Sequence, residues 1–270
     1  MDRVSTIEEL SNDKGQVEVG SFVNALMRCL SFDESVEALR RSFEGSTALR
    51  TAALRKICSD IQHGSATCAT LIAELKEKVL HGPPRRRGGY AYCLLEVARA
   101  SSRNIQNEVQ GFLSCSRYVG LRRRGYKLYD RGCVQSRELL EQAWKEFRDR
   151  EAAWLMVEGH PPADLLQDKN NLVSALTEGW QLSRLYLKLA EIDVTHVEEL
   201  LEIDPISYVY VQVKLKRSVP DDQLTGIVGD HLGDERLGLL LWCLGELRQW
   251  DLIVTASKRS EEIARQRLAS

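Results

Sequence analysis

The segment RTAALRKI, residues 50–57, decides the fold because its spacing returns along the chain. Its arginine is followed by apolar or small residues at offsets of three, four and seven, which is the spacing of one face of an α-helix. The same pattern starts at Arg87, Arg122, Arg150 and Arg236, and a degraded copy starts at Arg184. Successive starts are separated by 37, 35, 28, 34 and 52 residues. Because a second amphipathic stripe follows each copy after a turn, the sequence predicts a helix-turn-helix unit repeated about six or seven times.

This recurring unit resembles the HEAT-like family of helical repeats over residues 20–265. The resemblance implies an all-α fold, an α-solenoid of about six to seven antiparallel helix pairs that bury their apolar faces against one another. The chain departs from the family in its variable unit length and in mostly lacking the proline of the first helix. Residues 1–18 are predicted as a flexible lead-in or N-terminal cap, and residues 19–270 as a single HEAT-like domain.

One segment conflicts with an all-helical interpretation. Residues 208–216 alternate apolar and other side chains and are rich in β-branched residues, which is typical of a strand. No second convincing strand exists to pair with it, so context favours a helix and the strand stays as the alternative. Asp204 and Pro205 just before it read as an N-cap and first helical residue, and Thr195 with Glu198 reads as a capping box.

Composition excludes several classes of protein. The 270 residues are 43% apolar and 28% charged, which rules out a collagen, a disordered tail, a bulk nucleic-acid packer and a small disulfide scaffold. The net charge of −2 is unevenly distributed. Residues 81–150 contain 15 Lys and Arg against 7 Asp and Glu, whereas residues 151–270 contain 12 against 20. The centre of the sequence is therefore basic and its last part acidic.

The sequence also predicts a compartment. The N-terminus has neither the basic nor the apolar region of a signal peptide, and the most apolar run, residues 237–244, is shorter than the roughly 20 residues of a membrane span. No two of the seven cysteines lie within three residues of each other. This scattered, odd set favours a reducing environment, so we expect a cytoplasmic protein without a membrane partner.

No catalytic or phosphate-binding motif is found, and the five histidines stand singly. We therefore expect no cofactor, no metal and no enzymatic activity. One enzyme alternative comes from the HEAT-like alkylpurine DNA glycosylases, which pair a tryptophan with a catalytic aspartate four residues away. Here Trp250 and Asp251 are adjacent and lie in the acidic part, and Asp251 is more simply an acid in the first turn of a helix. Most of the five tryptophans are expected to pack in the core or between repeats.

Two arginine triplets in the basic centre are the candidate site, because they lie 37 residues apart, about one repeat. Stacked repeats would bring them side by side, where guanidinium groups suit carboxylates or phosphates and tyrosines suit side chains or bases. The arginines that recur in the repeat, at positions 50, 87, 122, 150 and 236, have a structural alternative: they could bond neighbouring carbonyl groups or an acidic residue. The predicted partner-binding residues are Arg85, Arg86, Arg87, Tyr90, Arg122, Arg123, Arg124 and Tyr126.

These observations predict a non-enzymatic scaffold or adaptor that holds an acidic or extended protein segment. The alternative is a nucleic-acid-binding HEAT-like protein centred on the same arginines. The uneven charge also permits head-to-tail self-association, so the oligomeric state stays open.

Overall fold

The structure is a computed structural model that describes residues 3–12, 23–45, 47–64 and 68–269. The described residues form helices and turns and contain no strand, which confirms the predicted all-α class. None of the described helices is both long enough and apolar enough to cross a membrane. The chain divides into two compact units, residues 1–147 and residues 148–270.

In the first unit most helices pack against the next helix along the chain, and most also contact the next helix but one. The segment at residues 23–27 is helical as well. The helices of this unit are α1 (Arg3–Asn12), α2 (Phe32–Ser42), α3 (Thr47–Gln62), α4 (Ala69–His81), α5 (Arg87–Ala100), α6 (Arg103–Ser114), α7 (Val119–Tyr126) and α8 (Val134–Phe147), with a 3₁₀ turn at Pro84–Arg86 before α5.

Helix α5 is the centre of the first unit because it contacts α3, α4, α6 and α7. Its small and apolar residues Ala91, Cys93, Leu94 and Val97 are fully buried. Small side chains let neighbouring helices approach closely, and Arg87 is the first residue of this closely packed helix.

The N-terminal segment packs against the rest of the first unit. In α1, Val4 and Ile7 are buried in the core, and this helix contacts α2 and α3. The prediction of a flexible lead-in or N-terminal cap for residues 1–18 stays a prediction, and residues 1–2 and 13–18 lie outside the described residues. The grouping of residues 19–270 into a single domain stays a prediction.

The second unit consists of shorter helices. They are α9 (Arg150–Gly159), α10 (Pro162–Gln167), α11 (Lys169–Ala175), α12 (Gly179–Leu189), α13 (Glu199–Ile203), α14 (Pro205–Lys214), α15 (Asp221–Asp230), α16 (Leu237–Glu246) and α17 (Trp250–Ala269), with a 3₁₀ helix at Val194–Glu198.

Residues 208–214 of the ambiguous segment form the last part of helix α14, so the contextual prediction of a helix is correct for them. Asp204 caps it through a side-chain hydrogen bond from the Ser207 amide, as predicted. The strand-like alternation arises because α14 is buried on several sides, between α12, α13 and α16, so apolar β-branched residues occur all round it.

Two caps differ from the sequence prediction. The capping box expected at Thr195 is absent; instead Asp193 accepts a hydrogen bond from the Thr195 amide and starts the 3₁₀ helix. A true capping box is formed by Ser31 and Glu34 at the start of α2, each side chain accepting from the other residue's amide. The Ser-x-x-Glu spacing at residues 31–34 was a visible signal for that helix start.

Candidate binding surface

The recurring arginines of the first unit lie at or near the starts of helices and donate to main-chain carbonyl oxygens. Arg50 Nη2 donates to the Ser42 carbonyl at 3.2 Å, and Arg87 Nε donates to the Gly82 carbonyl at 3.4 Å. Arg122 Nη1 donates to the carbonyls of Ser116 and Arg117 at 2.9 and 3.1 Å. Each acceptor lies at the end of the preceding helix or in the turn after it, so these arginines fasten a helix start to the turn before it.

An aromatic ring accompanies each of these arginines. The guanidinium carbon lies 4.9 Å from the Phe43 ring centre for Arg50, 5.5 Å from Tyr118 for Arg87, and 4.1 Å from Phe147 for Arg122. Such contacts combine cation–π attraction with packing of the planar guanidinium group. The predicted structural contacts of these arginines are therefore present.

The recurring arginines of the second unit bond side chains instead of carbonyls. Arg150 Nη2 donates to Glu178 Oε1 at 2.9 Å, and Arg236 Nη1 donates to Asp204 Oδ2 at 2.7 Å. Burial raises the pKa of Asp204, but the hydrogen bonds from Arg236 and Ser207 outweigh burial and hold that pKa below its ordinary value. In turn, the bond to Asp204 raises the pKa of Arg236.

The two arginine triplets lie together in the first unit. A Cβ atom built on Gly88, next to Arg87, would lie 3.7 Å from Arg124 Nη2, so the guanidinium of Arg124 on α7 rests against the start of α5. Arg124 is held there by its Nη1, which donates to the Gly120 carbonyl at 2.8 Å. Arg87 Nη1 donates to the Tyr118 hydroxyl at 3.2 Å and so bridges the same two helices.

The predicted site residues divide by burial. Arg85 and Arg123 are exposed, and Arg86, Arg87 and Arg124 are half-buried. Arg86 forms an ion pair with Glu44 at 2.5 Å, whose hydrogen bond raises the pKa of Arg86. The other three predicted residues are buried, namely Arg122, Tyr90 and Tyr126.

The two predicted tyrosines therefore lie in the core and not on the surface. Tyr90 packs against Phe43 with ring centres 4.2 Å apart, and Tyr126 is only 2% exposed. The aromatic residue beside the arginines is Tyr118, which is 60% exposed and directly precedes α7. Its position next to Arg117 was a signal for this surface in the sequence.

We call Arg85, Arg87, Arg117, Arg123 and Arg124, with Tyr118, the arginine surface. Its unit contains 23 Lys and Arg against 18 Asp and Glu, for a formal charge of +5, whereas the second unit contains 14 against 21, for −7. Within the described residues, no hydrogen bond or ion pair reaches the side chains of Arg85 and Arg117. Their guanidinium groups can donate several hydrogen bonds to an anionic ligand.

The other candidate sites are a metal centre and the Trp250–Asp251 pair. In the part of the chain that the structure describes, no three His, Cys, Asp or Glu side chains cluster to hold a metal ion. Asp251 lies in the first turn of α17 and is exposed, next to the exposed Trp250. Trp180, Trp242 and Trp250 are 58, 42 and 63% exposed and so lie outside the core, although Trp180 packs against Trp154 and Trp242 against Tyr210 on other helices.

Comparison with family models, with curated proteins and with solved structures gives no match to this chain.

Proposed function

We propose that the protein is a non-enzymatic scaffold or adaptor whose arginine surface binds an acidic, extended protein segment. The observation that carries the proposal is the contact of Arg124 with the start of α5, which joins two arginine clusters that lie 37 residues apart in the sequence. A set of guanidinium groups on two adjacent helices matches carboxylates spaced along an extended chain better than it matches one small anion.

The rigid framework under the surface supports this proposal. Arg122, the first residue of the second arginine triplet, is 7% exposed and donates hydrogen bonds to the carbonyls of Ser116 and Arg117. It fixes the turn that bears Arg117 and Tyr118, so the exposed arginines sit on a preorganised support and lose less conformational freedom on binding.

The test is a titration of a fluorescent peptide rich in Asp and Glu, followed by anisotropy, at two salt concentrations. We expect wild-type protein to bind the peptide and the triple variant Arg85→Ala, Arg123→Ala, Arg124→Ala to bind it at least about tenfold more weakly, because each charge-assisted contact contributes on the order of 1 kcal/mol. A peptide with Gln and Asn in place of the acids should not bind.

The matched control removes three exposed arginines elsewhere in the same unit, Arg28, Arg55 and Arg99. This control has the same net charge as the test variant, so it should retain the wild-type affinity. An equal loss in both variants would mean that the peptide responds to overall charge, and the arginine surface would not be the binding site.

A second candidate is binding of single-stranded nucleic acid, which the exposed ring of Tyr118 beside the arginines favours. Aromatic rings stack on bases and arginines bind the backbone. The same titration with a labelled oligonucleotide distinguishes this candidate. Its affinity should fall steeply with salt, with a slope of about −0.7 per phosphate neutralised, and Tyr118→Ala should weaken it strongly.

The same proposal includes a HEAT-like solenoid of about six to seven antiparallel helix pairs that operates in the cytoplasm. Packing of helices against chain neighbours supports the solenoid, as does the arginine that fastens one helix start after another. The scattered cysteines, all of them free thiols, suit the cytoplasm.

A further inference from the structure

Helix α16 is apolar around its whole circumference, yet one side of it faces solvent. Its sequence LGLLLWCLGE contains a single charged residue, Glu246. Leu240, Cys243 and Leu244 are buried, whereas Leu239 and Trp242 are 36 and 42% exposed. A helix that is apolar on all sides is normally covered on all sides. The exposed side therefore has the composition of an interface.

The neighbouring helix α14 completes this exposed face with an aromatic ring and a cation. The rings of Tyr210 and Trp242 are 6.1 Å apart. Lys214 Nζ lies 5.3 Å from the centre of the Tyr210 ring and 5.0 Å from that of Trp242. We call Leu239, Trp242 and Glu246 on α16, with Tyr210 and Lys214 on α14, the Trp242 face.

The Trp242 face contains one cation and one carboxylate that do not neutralise each other. Glu246 lies one helical turn after Trp242 and is exposed on the same side of α16. Among the residues that the structure describes, neither Lys214 nor Glu246 has an ion-pair partner within 4 Å. An occupant that covers the apolar centre must therefore supply a carboxylate to Lys214 and a cation to Glu246, since a buried unpaired charge is costly.

We propose that the occupant is a second copy of this chain, related by a two-fold axis beside Trp242. A two-fold interface places the same surface on both sides, so it must be self-complementary. The Trp242 face meets this condition: its apolar centre packs on itself, and Lys214 of each copy pairs with Glu246 of the other. This association uses only the second unit and is independent of the arginine surface.

The test is sedimentation of the full chain between about 1 and about 100 µM, the range in which weak interfaces dissociate. Wild-type protein should approach twice its mass of 30.6 kDa as concentration rises. Leu239→Glu should remain monomeric. The control Ile192→Glu, which also places a glutamate at an exposed apolar position of the second unit, should associate as wild type does.

A charge exchange tests the proposed pairing. Lys214→Glu should raise the dimer dissociation constant by roughly 30-fold, because it removes two cross-copy pairs and creates two repulsions. Lys214→Glu combined with Glu246→Lys should recover most of the loss, since the pairs are restored with reversed sign. Unchanged circular dichroism spectra and unfolding midpoints confirm that the variants fold.

Two results would overturn the proposal. One is wild-type protein that stays monomeric at the highest concentration, which would mean that another partner covers the face. The other is a dimer that persists in Leu239→Glu, or a double charge variant as weak as the single one, which would mean that the copies meet elsewhere.

Discussion

The two units use the same arginine of the repeat in different ways. In the first unit, Arg50, Arg87 and Arg122 donate to main-chain carbonyls, whereas in the second unit Arg150 and Arg236 bond carboxylates. A carbonyl satisfies the guanidinium group without cancelling its charge, but a carboxylate cancels it. A recurring arginine that bonds a carbonyl keeps its positive charge and can attract an anion. A recurring arginine that bonds a carboxylate is neutralised by it.

The largest effect on stability is expected at Gly179 in the second unit, which packs against the Arg236–Asp204 ion pair. A Cβ on Gly179 would lie 2.7 Å from both Asp204 Oδ2 and Ser207 Oγ, so Gly179→Ala must displace the pair. We expect a loss of about 3 kcal/mol in unfolding free energy, measured by urea denaturation. The control Gly226→Ala places its methyl group in open space and should gain about 0.5 kcal/mol. Equal behaviour of the two variants would contradict the close packing.

The next largest effect on stability is expected when the Arg236–Asp204 ion pair is broken. Arg236→Ala leaves Asp204 buried without its cation, and we expect a loss of about 2 kcal/mol at pH 7, whereas the exposed Arg259→Ala should change little. The folded-state pKa of Asp204 is lowered, so the stabilisation is complete above its unfolded pKa of about 3.9 and disappears as pH falls through the lower folded value. The difference between wild type and Arg236→Ala should therefore shrink below about pH 4. A difference that does not depend on pH would argue against the pair.

A smaller effect is expected in the first unit, where the recurring arginine donates to uncharged main-chain carbonyls. Arg122→Met keeps part of the contact with Phe147 but removes the bonds to two carbonyls, so we expect a loss of about 1.5 kcal/mol in urea denaturation. Arg123→Met, at the exposed next position, should stay within about 0.5 kcal/mol of wild type. If Arg123→Met lost more unfolding free energy than Arg122→Met, the division between structural and surface arginines would be wrong.

The sequence predicts the helices and their recurring arginine because both depend on spacing within one helix. The same reasoning identified α14 against its own strand-like pattern, since a lone strand has no partner. Side-chain exposure is different, because it depends on which neighbour covers a helix. Tyr90 and Tyr126 belong to the arginine segments but point into the core, and Trp242 is 42% exposed although most tryptophans are expected to be packed.

The sequence also does not show which group accepts a hydrogen bond from each recurring arginine. Arg122 and Arg236 occupy the same position in the repeat, but Arg122 donates to two carbonyls in the turn just before it, whereas Arg236 bonds an aspartate 32 residues earlier in the chain. Contacts between residues so far apart depend on the packing of whole helices, and the variable length of the repeats prevents a prediction by simple addition of one period.

The central claim is that the exposed arginines of the first unit bind acidic ligands while the recurring arginines hold helices in place. Nuclear magnetic resonance of the arginine Nε–Hε groups, with and without the acidic peptide, tests it residue by residue. We expect the peptide to shift the signals of Arg85, Arg123 and Arg124 and to leave those of Arg50 and Arg236 in place. Shifts at the recurring arginines, or none at the exposed three, would contradict it.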